Sequence, residues 1–299
     1  MVTCRKCGFI AKCPHCDVSL SEHGKKKLVC HYCGYETNAL TLCPECGSKY
    51  IAGFKAGTEQ VEESIKKMYP SARVLRMDKD TTKKKDDYEK ILSAFADKEA
   101  DILIGTQMIV KGHDFPNVTL VGILAADLSL GSGDYQAAER TFQLLTQAVG
   151  RAGRGKKAGE AVLQTYQPEH YAVVHASNQD YEGFYTEEIA YRQMCGYPPV
   201  RNMLAILITS ENETKAKAAS EILAGRLKEF SKGTIMVLGP TQASISKLND
   251  LYSMMIYVRH KDYDKLIEAK DFIESILNND KQTYGRINVY FDFNPINGY

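Results

Sequence analysis

The residues best equipped for chemistry in this 299-residue chain are its nine cysteines, eight of which form four C-x-x-C pairs: Cys4/Cys7, Cys13/Cys16, Cys30/Cys33 and Cys43/Cys46. A two-residue gap aims both sulfurs of a pair at one point, which is half of a tetrahedral thiolate site. Glycine follows the pair at Gly8, Gly34 and Gly47, where a turn through positive φ meets no Cβ clash. Asp17 takes that slot after Cys16, and aspartate tolerates the same region better than most residues. Eight thiolates complete two Cys4 sets with no position left for water. Closed sites of this kind are structural, so two Zn2+ ions that hold the fold and do no chemistry are expected. Rubredoxin-like iron accepts the same donors. Disulfides fit poorly, because the chain opens without a signal peptide and the pairs have redox-reducible spacing.

His15, His23 and His31 lie among the cysteines, but each pair already supplies its sulfurs, so they read as surface or supporting groups. Four pairs combine into two sites in three ways. The inner pairs flank a 13-residue segment able to form a hairpin, which would let Cys4/Cys7 meet Cys43/Cys46 outside it. The sequential arrangement competes and would close the tight loop Gly8–Lys12.

Three further segments carry polar chemistry. The first is Gly57-Thr58-Glu59 at a helix start, with Thr58 read as the N-cap. The second runs from Ile104-Gly105-Thr106-Gln107 through Lys111-Gly112-His113-Asp114-Phe115-Pro116, a strand end followed by a polar loop. The third is Gln147-Ala148-Val149-Gly150-Arg151-Ala152-Gly153-Arg154. On or ending a helix, Arg151 and Arg154 share a face, with Gln147 one turn earlier. A pair of guanidinium forks flanked by glycines is suited to a γ-phosphate presented across a cleft. The structural alternative is a solvated basic helix end.

Two look-alikes fail. Gly150–Lys157 nearly matches a P-loop, but Lys157 stands where the Mg2+-binding hydroxyl belongs, and the segment follows a helix. Lys98-Glu99-Ala100-Asp101 lacks the leading aspartate of a D-E-A-D box and precedes its strand. The chain carries phosphate-sensing arginines without a phosphate cradle: half of an ATPase site.

The elements that must position these groups read as α/β. Strands at 73–77, 102–105, 118–125 and 161–166 alternate with helical patterns at 59–69, 88–95 and 135–152, implying a mostly parallel sheet. Gly196-Tyr197-Pro198-Pro199 marks a boundary. Beyond it lie strand 203–209, helix 213–230, strands 234–238 and 253–259, helix 262–277 and strand 286–293, the βαββαβ order of a ferredoxin-like domain. Three domains follow: 1–50, 51–195 and 196–299. Lysine and arginine number 38 against 37 acidic residues, so nucleic-acid binding would need local patches. The longest apolar runs, Val118–Leu128 and Met203–Ile208, are too short to span a bilayer.

Taken together, the four C-x-x-C pairs, G-T-E, I-L-I-G-T-Q-M-x-x-K-G-H-x-F-P-x-V-T-L-V, A-E-R…Q-x-x-G-R-A-G-R-G, Tyr197-Pro198-Pro199, Leu238-Gly239-Pro240 and Asp292-Phe293-Asn294-Pro295 closely resemble the primosomal protein N′ (PriA) family of superfamily-2 helicases. The match runs from Cys4 nearly to the end and corresponds to the carboxyl-terminal part of the family's chain. The amino-terminal DNA-binding region and the first lobe, with its P-loop and D-E-x-H box, are missing from it.

The resemblance implies a zinc-knuckle region on a RecA-like parallel-sheet lobe, followed by the smaller α+β domain. It implies an ATP-dependent 3′→5′ DNA helicase, using ATP and Mg2+, that recognises abandoned forks and helps reload the replicative helicase, although this chain alone would be inactive. By position, Arg151 and Arg154 match the arginine-finger motif, with Gln147 supporting, and Gly112 and Asp114 lie in the motif coupling ATP to DNA. The family nests its cysteines, which favours Cys4/Cys7/Cys43/Cys46 and Cys13/Cys16/Cys30/Cys33. Gln136 departs from the family's usual arginine.

The implied partners are forked and single-stranded DNA, the acidic tail of single-stranded DNA-binding protein, and primosome or helicase-loading proteins. A cytoplasmic monomer with no membrane association is expected. Lys247, Arg259, His260, Lys261 and Arg286 are candidate DNA contacts, and Cys195 reads as a buried apolar filler. The rival reading is a stand-alone zinc-ribbon adaptor for nucleic acid or protein, without ATPase activity.

Overall fold

The first fifty-three residues have little apolar material to bury. Their core consists of Val2, Ala11, Leu20, Leu28 and Ile51 together with the cysteines Cys4, Cys13, Cys16, Cys30 and Cys43. Strand β1 (Val2–Cys4) therefore finds its partner at the far end of the region, pairing antiparallel with the strand Ile51–Gly53. Between them, β2 (Ser21–His23), β3 (Lys27–Val29) and β4 (Glu36–Asn38) form a three-stranded antiparallel sheet, with the β2–β3 hairpin lying between Cys16 and Cys30. Ile51–Gly53 is β5.

These coordinates are a computed structural model that describes every residue except 1, 5, 24–26, 54–56, 111–114, 127, 131–133 and 297–299. The chain divides into two compact units: Met1–Gly53 with Ile189–Tyr299, and Phe54–Glu188.

The second unit is the α/β lobe. Helix α1 (Thr58–Met68) leads into β6 (Val74–Met77), and α2 (Lys85–Ala96) into β7 (Ile102–Gly105), which pairs parallel with β6. After a 3₁₀ turn at Gln107–Val110 come β8 (Leu120–Ile123), α3 (Ala137–Val149) and β9 (Glu160–Leu163), with β8 and β9 again parallel. Helices α4 (Tyr171–Ser177) and α5 (Tyr181–Cys195) follow. A local core joins Phe142 and Leu145 of α3 to Ala172, Val173 and Ala176 of α4 and Phe184 of α5, with Phe142 and Phe184 stacked at 4.1 Å.

Thr58 does not act as an N-cap. It is the first residue of α1, Gly57 holds the cap position, and the Thr58 hydroxyl donates to Asp78, the residue after β6. The Asp78 carboxylate, held in place by other donors, orients that hydroxyl as a donor, and no side chain caps the helix.

The carboxyl-terminal domain has the strongest core. Its elements are β10 (Asn202–Ser210), α6 (Glu213–Ser231), β11 (Met236–Leu248), β12 (Leu251–His260), α7 (Tyr263–Asn279), α8 (Lys281–Tyr284) and β13 (Asn288–Phe293). The sheet order β11-β12-β10-β13, antiparallel throughout, is the split βαβ arrangement. Asn212 caps α6 through Lys215 N, and Asp262 caps α7 through Asp264 N. Leu223 and Leu227 of α6 and Leu266 and Ile273 of α7 bury against Leu204, Ile206, Ile256 and Val258.

One element departs from the sequence reading. β11 runs well past residue 238, through two irregularities, to a hairpin tip at Asn249-Asp250. Both tip residues have positive φ (50° and 61°), as a two-residue hairpin turn of the primed type requires.

Truncating Leu223, which is fully buried, should remove about 3 kcal/mol from this domain. Amide exchange in β10 and β12 of Leu223→Ala reports it; unchanged protection there would contradict the packing described.

Candidate metal centres and arginine turn

The knuckles are built by a repeated backbone pattern. In three of them the amide four residues after the first cysteine closes on that cysteine's carbonyl: Gly8 on Cys4 at 2.9 Å, Gly34 on Cys30 at 3.0 Å and Gly47 on Cys43 at 2.9 Å. These glycines have φ of 79°, 75° and 66°, which other residues adopt only under strain. The first cysteine's own amide donates to the carbonyl five residues on, to Phe9, Tyr35 and Ser48, and at Cys13 to Val18.

The result is two groups of four thiols, Cys4/Cys7/Cys43/Cys46 and Cys13/Cys16/Cys30/Cys33, each with its sulfurs within 4.8 Å of one another. Close pairs measure 3.6 Å (Cys4 to Cys46), 3.5 Å (Cys7 to Cys43) and 3.5 Å (Cys13 to Cys33). A zinc–sulfur bond of about 2.3 Å gives a tetrahedral edge of about 3.8 Å, whereas a disulfide needs about 2.0 Å. The donor set therefore fits a closed tetrahedral thiolate metal, and all nine cysteines are free of disulfides. Among the described residues no other group of histidines, cysteines and carboxylates has this geometry.

Neither thiol group includes His15 or His31. His15 Nδ1 pairs with Asp250 at 2.7 Å, and His31 is exposed; the side chain of His23 lies outside the described residues.

Without metal, the thiols of one group would differ. Burial pushes Cys16 up to about 12, against the Asn249 amide, which donates to its sulfur at 3.4 Å, and with the Cys33 and Cys30 thiols adding to the rise. At Cys30 burial acts upward too, but the backbone amides of Cys33 and Tyr32 prevail and bring it down to about 7. The Cys7 amide is the largest influence on Cys4 and brings it to about 6.

Asp17 departs from expectation. It is absent from the positive-φ residues, and its amide donates to Lys247 O at 2.8 Å and not to Cys13.

The arginine segment also differs in detail. Helix α3 ends at Val149 with Gly150 as its cap, so Gln147 sits exposed in the last helical turn while Arg151 and Arg154 lie in the turns beyond. They do not share a helix face. Arg154 Nε folds back to donate to Gly150 O at 2.7 Å. The glycines do admit a close backbone approach, but from this chain's own loop. A Cβ on Gly155 would stand 2.0 Å from Pro116 O, and the Gly153 amide donates to Val118 O at 3.0 Å. The segment after β7 and the arginine turn are thus brought together. Gly112 and Asp114 lie outside the described residues.

The same lobe holds a polar network that the sequence reading does not anticipate. Asp78, mostly buried, accepts from the Asp80 and Thr81 amides, each at 3.0 Å, and pairs with Arg76 Nε at 3.1 Å; Arg76 Nη1 reaches Glu62 at 3.3 Å. Burial opposes ionisation of Asp78, but the Thr58 hydroxyl, the Thr81 amide and Arg76 outweigh it and lower the carboxyl. Arg76 lies in β6 and Asp78 just follows its last residue, Met77.

Several proposed DNA contacts are otherwise engaged. Arg259 is 8% exposed, donates to Cys195 O at 2.8 Å and lies 4.1 Å over the Tyr197 ring. Its burial removes it from the surface. Lys247 Nζ bonds Pro14 O at 3.0 Å, and His260 Nδ1 accepts from the Asp262 amide. Lys261 and Arg286 are exposed, and Cys195 is half-buried, less enclosed than a core filler. No described helix is long and apolar enough to cross a membrane.

One chain thus carries two closed four-cysteine clusters fit for zinc, a lobe of parallel strands and helices, and a split βαβ domain. Comparisons agree: residues 45–156 match the helicase conserved C-terminal domain, residues 13–37 the PriA DNA helicase Cys-rich region, and residues 193–296 the primosomal protein N C-terminal domain. The chain belongs to the PriA family. It is 44% identical over 296 residues to the replication restart protein PriA of Bacillus subtilis (strain 168), covering 98% of this chain and 36% of that protein. To the Borreliella burgdorferi protein of the same name it is 37% identical over 299 residues, covering 98% and 44%. To that of Synechocystis it is 38% identical over 280 residues, covering 92% and 34%. The chain thus spans between about a third and under half of the length of these curated relatives.

Elemental analysis should find two zinc ions per chain; one or none would contradict the paired sites. Because Cys16 is pushed up to about 12 and must lose its proton to bind metal, zinc affinity should fall steadily from about pH 8 to about pH 6. A competition titration showing no pH dependence would refute the thiolate ligation.

Proposed function

We propose that this chain comprises the zinc-binding region (1–50), second RecA-like motor lobe (51–195) and carboxyl-terminal domain (196–299) of an ATP-dependent 3′→5′ DNA helicase that restarts replication at abandoned forks. The observation that carries the reading is the occurrence, in one chain and in family order, of the Cys-rich region, helicase lobe and primosomal C-terminal domain. The eight paired cysteines hold two Zn2+ ions, each of which supplies folding energy to a region too poor in apolar residues to fold on burial alone.

Arg151 and Arg154 act as the arginine-finger pair on the γ-phosphate of ATP–Mg2+ held by a P-loop lobe, with Gln147 supporting them. Guanidinium forks suit that task because they remain charged and donate bidentately to phosphate oxygens. The geometry supports this through the glycine turn packed on Pro116–Val118, which fixes the arginine loop against the segment that follows β7. Gly112 and Asp114 in that segment couple nucleotide state to DNA. Partners are forked and single-stranded DNA, single-stranded DNA-binding protein and helicase-loading proteins, in the cytoplasm and with the helicase a monomer.

In a protein joining this chain to a P-loop lobe of its family, Arg154→Ala should lower DNA-dependent ATP hydrolysis and unwinding about a thousand-fold while zinc content stays the same. Unwinding at the unaltered rate would overturn the finger assignment. If the parent protein hydrolyses no ATP, the chain is a zinc-ribbon adaptor instead.

A further inference from the structure

The second knuckle is the one that does not close on itself. Where the other three carry glycine and an amide bonded to their own cysteine, this one carries Asp17, and its amide is taken by Lys247 O at the tip of the β11–β12 hairpin, 2.8 Å away. Five more contacts surround that bond. Asp250 N donates to His15 O at 2.9 Å, and the Asp250 carboxylate meets His15 Nδ1 at 2.7 Å. Ser246 Oγ donates to Asp17 Oδ2 at 2.8 Å, and Lys247 Nζ to Pro14 O at 3.0 Å. The Asn249 amide donates to the Cys16 sulfur itself at 3.4 Å. Leu248 packs on the small core of the cysteine region.

We propose that residues 246–250 are a structural part of the second zinc site, so that metal binding at Cys13/Cys16/Cys30/Cys33 and docking of the carboxyl-terminal domain are one linked equilibrium. The inference rests on zinc occupying the thiol clusters. Four thiolates on one divalent ion leave a net charge of −2, which an N–H donor and a nearby ammonium stabilise; here both come from the hairpin. The knuckles of the first cluster at Cys4 and Cys43 are closed by their own glycine amides, and the amides of Cys7, Phe9 and Ser48 within the same region serve its sulfurs.

Linkage is reciprocal. If the hairpin favours metal at the second site, metal there must favour the docked hairpin by the same factor. Asp17 is the residue that makes this coupling possible. A glycine in its place would allow the positive φ that turns the amide back to Cys13 O, closing the knuckle without outside help.

The test is chelator-driven zinc release from the whole chain, with pyridylazoresorcinol as the acceptor and alkylation mapping which cysteines open first. In Lys247→Ala/Asp250→Ala, one zinc of the two should leave about ten-fold faster, exposing Cys13, Cys16, Cys30 and Cys33, while the other leaves at its original rate. Adding Asp17→Gly to that variant should restore slow release. Both zincs leaving at unaltered rates, or both accelerating equally, would overturn the proposal.

Hydrogen exchange on the unaltered chain provides a check that needs no hairpin variant. As the second zinc is stripped, the Asp17, Asn249 and Asp250 amides should lose protection while the β10 and β12 amides keep theirs. Retained protection at Asp250 would equally overturn the linkage. Fewer than two zincs in the unaltered chain would instead mean that the metal reading itself fails.

Discussion

Tetrahedral thiolate coordination is the constraint on which the rest of this molecule depends. Among the described residues of 1–53, five apolar side chains are buried beside the cysteines, too few to offset the conformational entropy of ordering that length of chain. Four sulfurs around one ion replace the missing core. The ligands must arrive in pairs from sequence-distant knuckles, and so β1 must return to β5, and the β2–β3 hairpin must span the gap between Cys16 and Cys30.

Backbone economy within the knuckles follows from the same requirement. Each tight turn leaves an amide that must find an acceptor. Positive-φ glycines solve this locally in three cases, and a neighbouring hairpin solves it in the fourth. The carboxyl-terminal domain, with an abundant hydrophobic core of its own, is thereby fastened to a region that has almost none. The α/β lobe obeys a different rule: Arg151 and Arg154 sit in a turn held by backbone packing against Pro116, where a side chain at Gly155 would not fit.

Much of this was legible in the sequence because the signals are local. C-x-x-C spacing specifies half of a tetrahedron, and helical stripes such as Leu223 and Leu227 specify a buried face. The βαββαβ order emerged from such stripes, and so did the parallel strands of the lobe. What sequence reading missed depends on partners far away in the chain. Thr58 looks like a helix cap until Asp78 competes for its hydroxyl, and Arg259 looks like a surface contact until Tyr197 stacks beneath it. Asp17 was read as a tolerant substitute for glycine. Its difference from Gly8, Gly34 and Gly47 was in fact the clue that something else closes that turn. The arginine pair was placed on one helical face because spacing alone cannot show that α3 stops at Val149.

X-ray absorption at the metal edge of the zinc-loaded chain tests the thiolate tetrahedra most directly. Four sulfur scatterers per zinc at about 2.3 Å, with no nitrogen or oxygen, should be found. A first shell containing an imidazole nitrogen or a water oxygen would mean that the eight cysteines do not close both sites, and the architecture built on them would have to be rethought.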